Sequence, residues 1–255
     1  MPKKLCALTL TPDGKTIVAG DKFGDVYALP LHPSQDYVPP RRETQVAPEE
    51  FKPSASELTV HTKGNLDALK QQRAQKNVQP KKESPNFEHK LLLGHVSMLT
   101  DVLVAEADVN GRTRQYILTS DRDEHIRVSR GLSQPHIIEA YCLGHLNFVN
   151  NLRILPWERN IMITGGGDLC LKSYKWRTGE MLVENDFSNE LKEEIQNHLN
   201  EHNPDNRTLD KLAISNIWPV SFPDVDTDTF IIGSPYIVLV ALEGRVHCTN
   251  CGTEC

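Results

Sequence analysis

The 255-residue sequence has no uninterrupted run of 18 apolar residues, and aromatic residues make up only 6% of it. A membrane-spanning helix needs about 20 mostly apolar residues, so no membrane span is expected. The apolar stretch after Met1 ends at Thr11-Pro12-Asp13-Gly14, which is too early for a secretory signal. The six cysteines lack the spacing of a secreted disulfide framework, and this indicates a reducing compartment.

Sequence motifs of catalysis are missing as well. The chain has no Gly-x-Gly-x-Gly methyl-donor motif, no nucleophile elbow and no His-Glu-x-x-His pair. The run Gly165-Gly166-Gly167-Asp168 could suggest a phosphate loop, but it lacks the lysine and the following helical pattern. Its glycines fit a strand-to-turn junction better. We therefore expect no catalytic residue and no bound cofactor in this chain.

Charge is distributed unevenly along the chain. Residues 41–90 hold ten Lys/Arg against seven Asp/Glu, which leaves 18 basic and 27 acidic residues elsewhere, a balance of −9. Affinity for phosphates comes from clustered cations, so the acidic part favours a protein partner over a nucleic acid.

Between Leu91 and Leu182 the chain repeats one pattern. Each copy opens on Gly-His, with His95 and His145 lying 50 residues apart, and continues with an alternating apolar run, an acidic turn (Asp123, Asp168) and a last alternating run. A period slightly above 40 that opens on Gly-His is typical of WD-type β-propeller blades. The pattern predicts an all-β fold of four-stranded blades that stack on one another.

The repeated polar residues are predicted to be structural. In WD-type blades, the Gly-His imidazole and the turn aspartate share a buried hydrogen-bond network with a strand hydroxyl and an indole. We expect this role for four residues: His95, Asp123, His145 and Asp168. Ser129 and Tyr174 stand where the tryptophan would be, so the network is expected to be incomplete. Catalysis by these residues is the less favoured reading.

Two further stretches indicate blade strands, which makes four blade-like segments. Leu5–Pro30 resembles the last three strands of a blade, with Phe23 at the position of the turn aspartate. Residues 211–220 and 236–242 resemble the first two strands of another blade, and residues 188–200 have the spacing of an amphipathic helix. We predict a partial propeller with blade strands at 1–30, an insertion at 31–90, blades at 91–244 and a divergent tail at 245–255.

The insertion and the tail differ in composition from the blades. Pro30 to Pro85 contains eight of the 16 prolines, which predicts disorder apart from a short helix near residues 66–75. The pairs Arg41-Arg42 and Lys81-Lys82 are a weak nuclear-targeting signal. The tail carries zinc-ligand residue types, but they crowd into nine residues, so we expect no metal site; these are His247, Cys248, Cys251 and Cys255.

Four segments carry a more specific resemblance: residues 19–27 (AGDKFGDVY), 93–102 (LGHVSMLTDV), 117–129 (ILTSDRDEHIRVS) and 142–149 (CLGHLNFV). Together they resemble the WD-repeat, non-catalytic subunit of the tRNA (guanine-N7)-methyltransferase, and its fungal members most. The resemblance covers Leu5–Pro30 and 91–244. That family forms a seven-bladed ring, so a chain with four blade-like segments is expected to be shortened at its C-terminus, with exposed sheet edges.

The resemblance implies a heterodimer whose other subunit binds S-adenosylmethionine and methylates guanosine 46 in the tRNA variable loop. This chain would stabilise and activate that catalytic subunit, contact tRNA only through the complex and lie in the nucleus. The expected partner surface is formed by rim loops, with Arg122, Glu124, Asn147, Phe148 and Arg153. The alternative is a WD-repeat scaffold for other protein assemblies, unrelated to tRNA.

Overall fold

A computed structural model describes residues 4–34, 58–74, 87–187, 207–221 and 236–248, with a few single residues between these ranges. The chain divides into two units: residues 1–2 with 35–87, and residues 3–34 with 88–255. In the first unit, helix α1 spans Lys63–Ala74. This helix lies inside the predicted insertion, close to the stretch that the sequence indicates. The pairs Arg41-Arg42 and Lys81-Lys82 lie outside the described residues.

The second unit contains only antiparallel sheets in its described elements. Three sheets have four strands and one has two, and strands that are consecutive in the chain are neighbours within each sheet. The strands are β1 Leu5–Leu10, β2 Thr16–Asp21, β3 Asp25–Pro30, β4 Lys90–Gly94, β5 Leu99–Val109, β6 Arg112–Asp121, β7 Ile126–Arg130, β8 Ile138–Cys142, β9 Val149–Ile154, β10 Ile161–Gly166, β11 Cys170–Lys175, β12 Glu180–Asp186, β13 Arg207–Ser221 and β14 Tyr236–Cys248. We call the four sheets blade 1 (β1–β4), blade 2 (β5–β8), blade 3 (β9–β12) and blade 4 (β13 and β14). They confirm the predicted all-β, partial propeller.

Blade 1 corrects one prediction from the sequence. Leu5–Pro30 forms the first three strands of a blade and not the last three, because β4 pairs with β3 and completes the sheet. Residues 31–89 are therefore inserted within a blade, between its third and fourth strands. A β-strand can be followed by a long connection and still pair correctly, because the free-energy cost of closing a loop grows only slowly with its length.

Two other boundaries also differ from expectation. Strand β14 continues to Cys248, past the predicted end of the blades at residue 244. The helix predicted for residues 188–200 lies largely outside the described residues, as do the last seven residues of the chain.

Consecutive blades are joined by hydrogen bonds at or beside a bulge in their first strands. Each first strand bulges against the second, at Cys6, Thr100, Asn150 and Ser215. At the bulge, the Cys6 thiol donates to the Leu99 carbonyl at 2.9 Å, and the Thr100 hydroxyl donates to the Val149 carbonyl. Between blades 3 and 4, Asn151 Nδ2 donates to the Ser215 carbonyl at 3.2 Å. A bulge turns a side chain away from its own ladder, which frees the Cys6 and Thr100 side chains to bond to the next blade.

The core lies between the faces of neighbouring blades. Val18, Val26 and Ile117 belong to the cluster between blades 1 and 2, and Ile214 and Ile217 to the cluster between blades 3 and 4. Between blades 2 and 3, the fully buried Trp176 meets Tyr116 edge to face, with ring centroids 5.2 Å apart. Neighbouring blades therefore bury apolar faces against each other, as repeat architectures require.

Candidate functional site: the turn face of the blades

Blade 3 contains a buried network around His145. The imidazole Nδ1 lies 2.7 Å from Asp168 Oδ2, and Nε2 lies 2.7 Å from Thr164 Oγ1. The His145 side chain is fully buried, and the Leu146 amide also donates to Asp168. Both ring nitrogens have partners, so the burial of this imidazole carries no unpaired polar atom. The network joins the Gly-His loop to the turn between β10 and β11.

Blade 2 builds the same network with a different aspartate. His95 Nδ1 lies 3.0 Å from Asp121 Oδ2, and Nε2 lies 2.8 Å from Thr119 Oγ1. Asp121 is buried, whereas Asp123 is exposed. The prediction that Asp123 fills this role is therefore wrong. Asp121 Oδ1 also accepts from the amides of Asp123 and His125, at 3.0 and 3.1 Å, and thereby shapes the turn.

The turns explain how two positions can serve one role. The turns between the second and third strands of blades 1, 2 and 3 each contain a residue with left-handed backbone geometry: Gly24, Glu124 and Leu169. Counted from it, Asp121 has its equivalent in Asp21 of blade 1 and in Gly166 of blade 3. At Gly166 a Cβ would lie 1.9 Å from the Phe148 carbonyl oxygen, so no side chain fits there and the aspartate comes from Asp168.

Blade 1 also has its turn aspartate, contrary to the prediction based on Phe23. Asp21 is buried, and its Oδ1 accepts from the amides of Phe23 and Asp25 at 2.8 and 3.1 Å. Phe23 occupies the exposed third position of the turn, as Asp123 does in blade 2. Asp121 and Asp21 share a signal that sequence reading could have used, since each is the last residue of a second strand.

Different residues replace the missing indole in blades 2 and 3, and only one of them makes a hydrogen bond through its side chain. In blade 3 the Tyr174 hydroxyl donates to the Leu143 carbonyl at 3.1 Å, so the tyrosine closes the Gly-His loop. In blade 2 the Ser129 hydroxyl is fully buried and has no hydrogen-bond partner among the described residues. Ser129 is too short to make the contact that Tyr174 makes.

Four of the five predicted partner residues lie in the turn between β6 and β7 or in the Gly-His loop before β9. We call the surface formed by such turns and loops the turn face. Arg122, Glu124 and Asn147 are exposed. Phe148 is half-buried, and its carbonyl accepts from the Gly167 amide at 2.9 Å. Loops and turns on a rigid sheet scaffold are common recognition surfaces. We refer to Arg122, Glu124, Asn147 and Phe148 as the turn-face set.

Arg153 does not belong with this set. It lies within β9, where its guanidinium bonds to Asp101 Oδ2 at 2.9 Å and to Asn216 Oδ1 at 3.2 Å. Asp101 also accepts from the Leu152 amide. Burial raises the pKa of Asp101, although the Leu152 amide and the Arg153 charge oppose that rise. Arg153 thus joins the first strands of blades 2, 3 and 4, a role that its sequence position did not indicate.

Reversing the charge of Arg153 should therefore destabilise the fold. Arg153→Glu places a second carboxylate beside Asp101, whose side chain is 16% exposed. We expect a loss of about 1–3 kcal/mol in the free energy of unfolding. The loss is limited because Arg153 is partly exposed and its charge is screened by solvent. Urea unfolding followed by circular dichroism measures it, with Arg122→Glu as the exposed control within about 0.5 kcal/mol. Equal stability of both variants would contradict the assignment.

Acid should weaken the blade 3 network. Burial alone would raise the pKa of Asp168, but the hydrogen bond and charge of His145 outweigh it, and the pKa is lowered from 3.8. A carboxylate with a lowered folded pKa stabilises the fold above its unfolded pKa, and this stabilisation is lost as the pH falls through the folded pKa. The stability difference between wild type and Asp168→Asn should thus be constant above about pH 5 and shrink below about pH 4. Urea midpoints across this range test it, and a difference that does not change with pH would refute it.

No group of three or more His, Cys, Asp or Glu residues in the described part of the chain could hold a metal ion. The side chains of the predicted tail, from His247 to Cys255, fall outside that part. None of the described helices is long and apolar enough to cross a membrane.

The stacked four-stranded sheets, with a histidine-aspartate-threonine network in blades 2 and 3, define a WD-repeat β-propeller protein. The family model described as the tRNA methyltransferase TRM82 WD40 domain matches residues 1–251. The chain belongs to this TRM82 WD40 family. The match continues beyond residue 244, where the resemblance was expected to end.

Three curated relatives are each named as the tRNA (guanine-N(7)-)-methyltransferase non-catalytic subunit TRM82. The protein of Coccidioides immitis is 53% identical over 71% of this chain and 35% of its own length. That of Aspergillus oryzae is 46% identical over 100% of this chain and 47% of its own, and that of Kluyveromyces lactis is 29% identical over 94% and 43%. The chain thus spans between a third and a half of these relatives' lengths.

Proposed function

We propose that this chain is a non-catalytic WD-repeat subunit of a tRNA (guanine-N7)-methyltransferase. It binds and stabilises the catalytic subunit, which supplies the S-adenosylmethionine site and methylates guanosine 46. The observation that supports this best is the identity of 46% with a relative of that name over the full length of this chain. The acidic balance of −9 outside residues 41–90 favours contact with tRNA through the complex only.

The turn-face set is the proposed docking surface. It combines exposed groups of both signs with a partly buried aromatic ring, a composition common in protein interfaces. The networks of His95 and His145 hold these loops against the blades, so the surface is preorganised. Arg153 contributes to blade stacking and is left out of this surface.

Co-purification tests the function. The chain and the catalytic subunit of Aspergillus oryzae are co-expressed, and the mixture is assayed for methylation of tRNA. We expect a complex of one copy each and more methylation than from the catalytic subunit alone, whereas the chain alone should have no activity. Specific capture of other proteins in place of this subunit would favour the generic scaffold. A tight, salt-sensitive complex of the chain alone with tRNA would contradict the indirect contact.

We further propose a nuclear location, supported by the basic pairs at 41–42 and 81–82. A fluorescent fusion in a filamentous fungus tests this. Exclusion of the fusion from the nucleus would overturn it.

A further inference from the structure

Arg127 and Lys172 occupy the same place in consecutive blades. Arg127 lies opposite Thr119 in the sheet, and Lys172 lies opposite Thr164. Each cation is therefore the cross-strand neighbour of the threonine in its blade's network. On the other side, Lys172 lies opposite Glu184, and its ammonium bonds to that carboxylate at 2.5 Å. Arg127 lies opposite Tyr141. Blade 3 neutralises its cation internally, and blade 2 has a tyrosine where the carboxylate would be.

The guanidinium of Arg127 has neutral hydrogen-bond partners, the Tyr141 side chain among them, but no carboxylate partner among the described residues. One terminal nitrogen donates to the Gly94 carbonyl at 3.2 Å. Nε is buried and has no hydrogen-bond partner among the described residues. The salt bridges of the described residues do not include Arg127. Asp121 lies nearby, but its oxygens already serve His95 and the turn amides.

The surroundings make this arrangement costly for the isolated chain. Burial lowers the pKa of Arg127, and the interaction and hydrogen bond with Tyr141 and the charge of Asp121 oppose that fall without cancelling it. A half-buried cation that has neutral hydrogen-bond partners but no carboxylate recovers only part of the hydration that it has lost. Tyr141 beside it is 45% exposed, so the site opens to solvent next to an aromatic ring.

We propose that Arg127 and Tyr141 form a docking point for an acidic side chain of a protein partner, which completes the ion pair that Glu184 provides in blade 3. Arginine beside an exposed tyrosine is a frequent combination at interface hot spots. A polyanion is the less suitable occupant because the chain outside residues 41–90 is acidic and Glu139 lies two positions before Tyr141 on the same strand. This inference rests on the proposed function, with the catalytic subunit as the partner.

The test compares two charge-neutralising variants, Arg127→Gln and Lys172→Gln, in this chain. Titration calorimetry with the Aspergillus oryzae catalytic subunit gives the dissociation constant, and tRNA binding by each assembled complex is measured in parallel. Arg127→Gln should weaken subunit binding about tenfold or more, because a charge pair buried in an interface is broken. Lys172→Gln should change it about twofold or less, since that charge is already paired within the chain.

Labelling of the wild-type chain with phenylglyoxal provides a second readout that does not depend on a variant's folding. Arg127 should react in the free chain and be protected in the complex. The exposed Arg114, which lies in β6 near its hairpin with β5, should react in both.

Three outcomes would overturn the inference. The first is wild-type affinity of a folded Arg127→Gln chain, or equal labelling of Arg127 in both states, and it leaves the proposed function intact. The second is normal subunit binding with weakened tRNA binding, which assigns the site to a phosphate. The third is the absence of any wild-type complex, which removes the proposed function as well.

Discussion

Replacing Asp121 by alanine should cost about 2–4 kcal/mol in the free energy of unfolding, whereas replacing Asp123 should cost about 0.5 kcal/mol or less. Asp121 is buried and accepts from His95 and from the amides of Asp123 and His125. Its removal leaves a buried imidazole and two turn amides without their acceptor, and an unpaired buried polar group costs far more than a lost surface contact. Asp123 is exposed and contributes only its backbone amide.

The two variants differ by two positions in one turn, so each is the other's control. Urea unfolding at pH 7, followed by far-ultraviolet circular dichroism, measures the two free energies. Asp168→Ala in blade 3 should match Asp121→Ala and not Asp123→Ala, although Asp168 and Asp123 occupy the same turn position. If Asp123→Ala were the more damaging of the two, the assignment of the blade 2 network would be wrong.

Replacing Trp176 by alanine is expected to have the largest effect of all, about 3–5 kcal/mol. The indole is fully buried between blades 2 and 3, packs edge to face on Tyr116 and donates from Nε1 to the Arg159 carbonyl at 2.8 Å. Alanine would leave a cavity lined by residues of both blades and an unpaired carbonyl. Trp176→Phe keeps most of the volume and loses the hydrogen bond, so about 1–2 kcal/mol is expected.

Trp157 is the matched control for this substitution. Its ring stacks on Tyr236 with centroids 4.6 Å apart, but Trp157 is only partly buried. Trp157→Ala should cost about 1 kcal/mol, in the range of an aromatic pair at a partly exposed site. Thermal unfolding by calorimetry ranks the three variants. A melting temperature for Trp176→Ala as high as that for Trp157→Ala would show that blades 2 and 3 do not depend on this core.

Much of the fold was available from the sequence because it depends on local periodicity. Alternating apolar residues, the Gly-His loops and the turns between strands are short-range features, and they predicted the all-β class, the blades and the insertion. The family resemblance also rests on contiguous motifs, and the family comparison confirms it. The assignment of Leu5–Pro30 within its blade was wrong, because β4 comes from 60 residues further along the chain.

The composition and repeats of this sequence determined the class of protein, since blades 2 and 3 each contain their four strands and turns within about 40 residues. Tertiary structure alone decided which polar residues meet. Asp121 and not Asp123 bonds to His95, because the Asp121 side chain is buried and the Asp123 side chain is exposed. In blade 3 the equivalent position is Gly166, where the Phe148 backbone leaves no space for a side chain, so Asp168 bonds to the histidine instead. Arg153 reaches Asp101 across 52 positions, and Arg127 lacks a carboxylate because Tyr141 lies opposite it. Such contacts depend on how sheets pack together, and that information is not local in the chain.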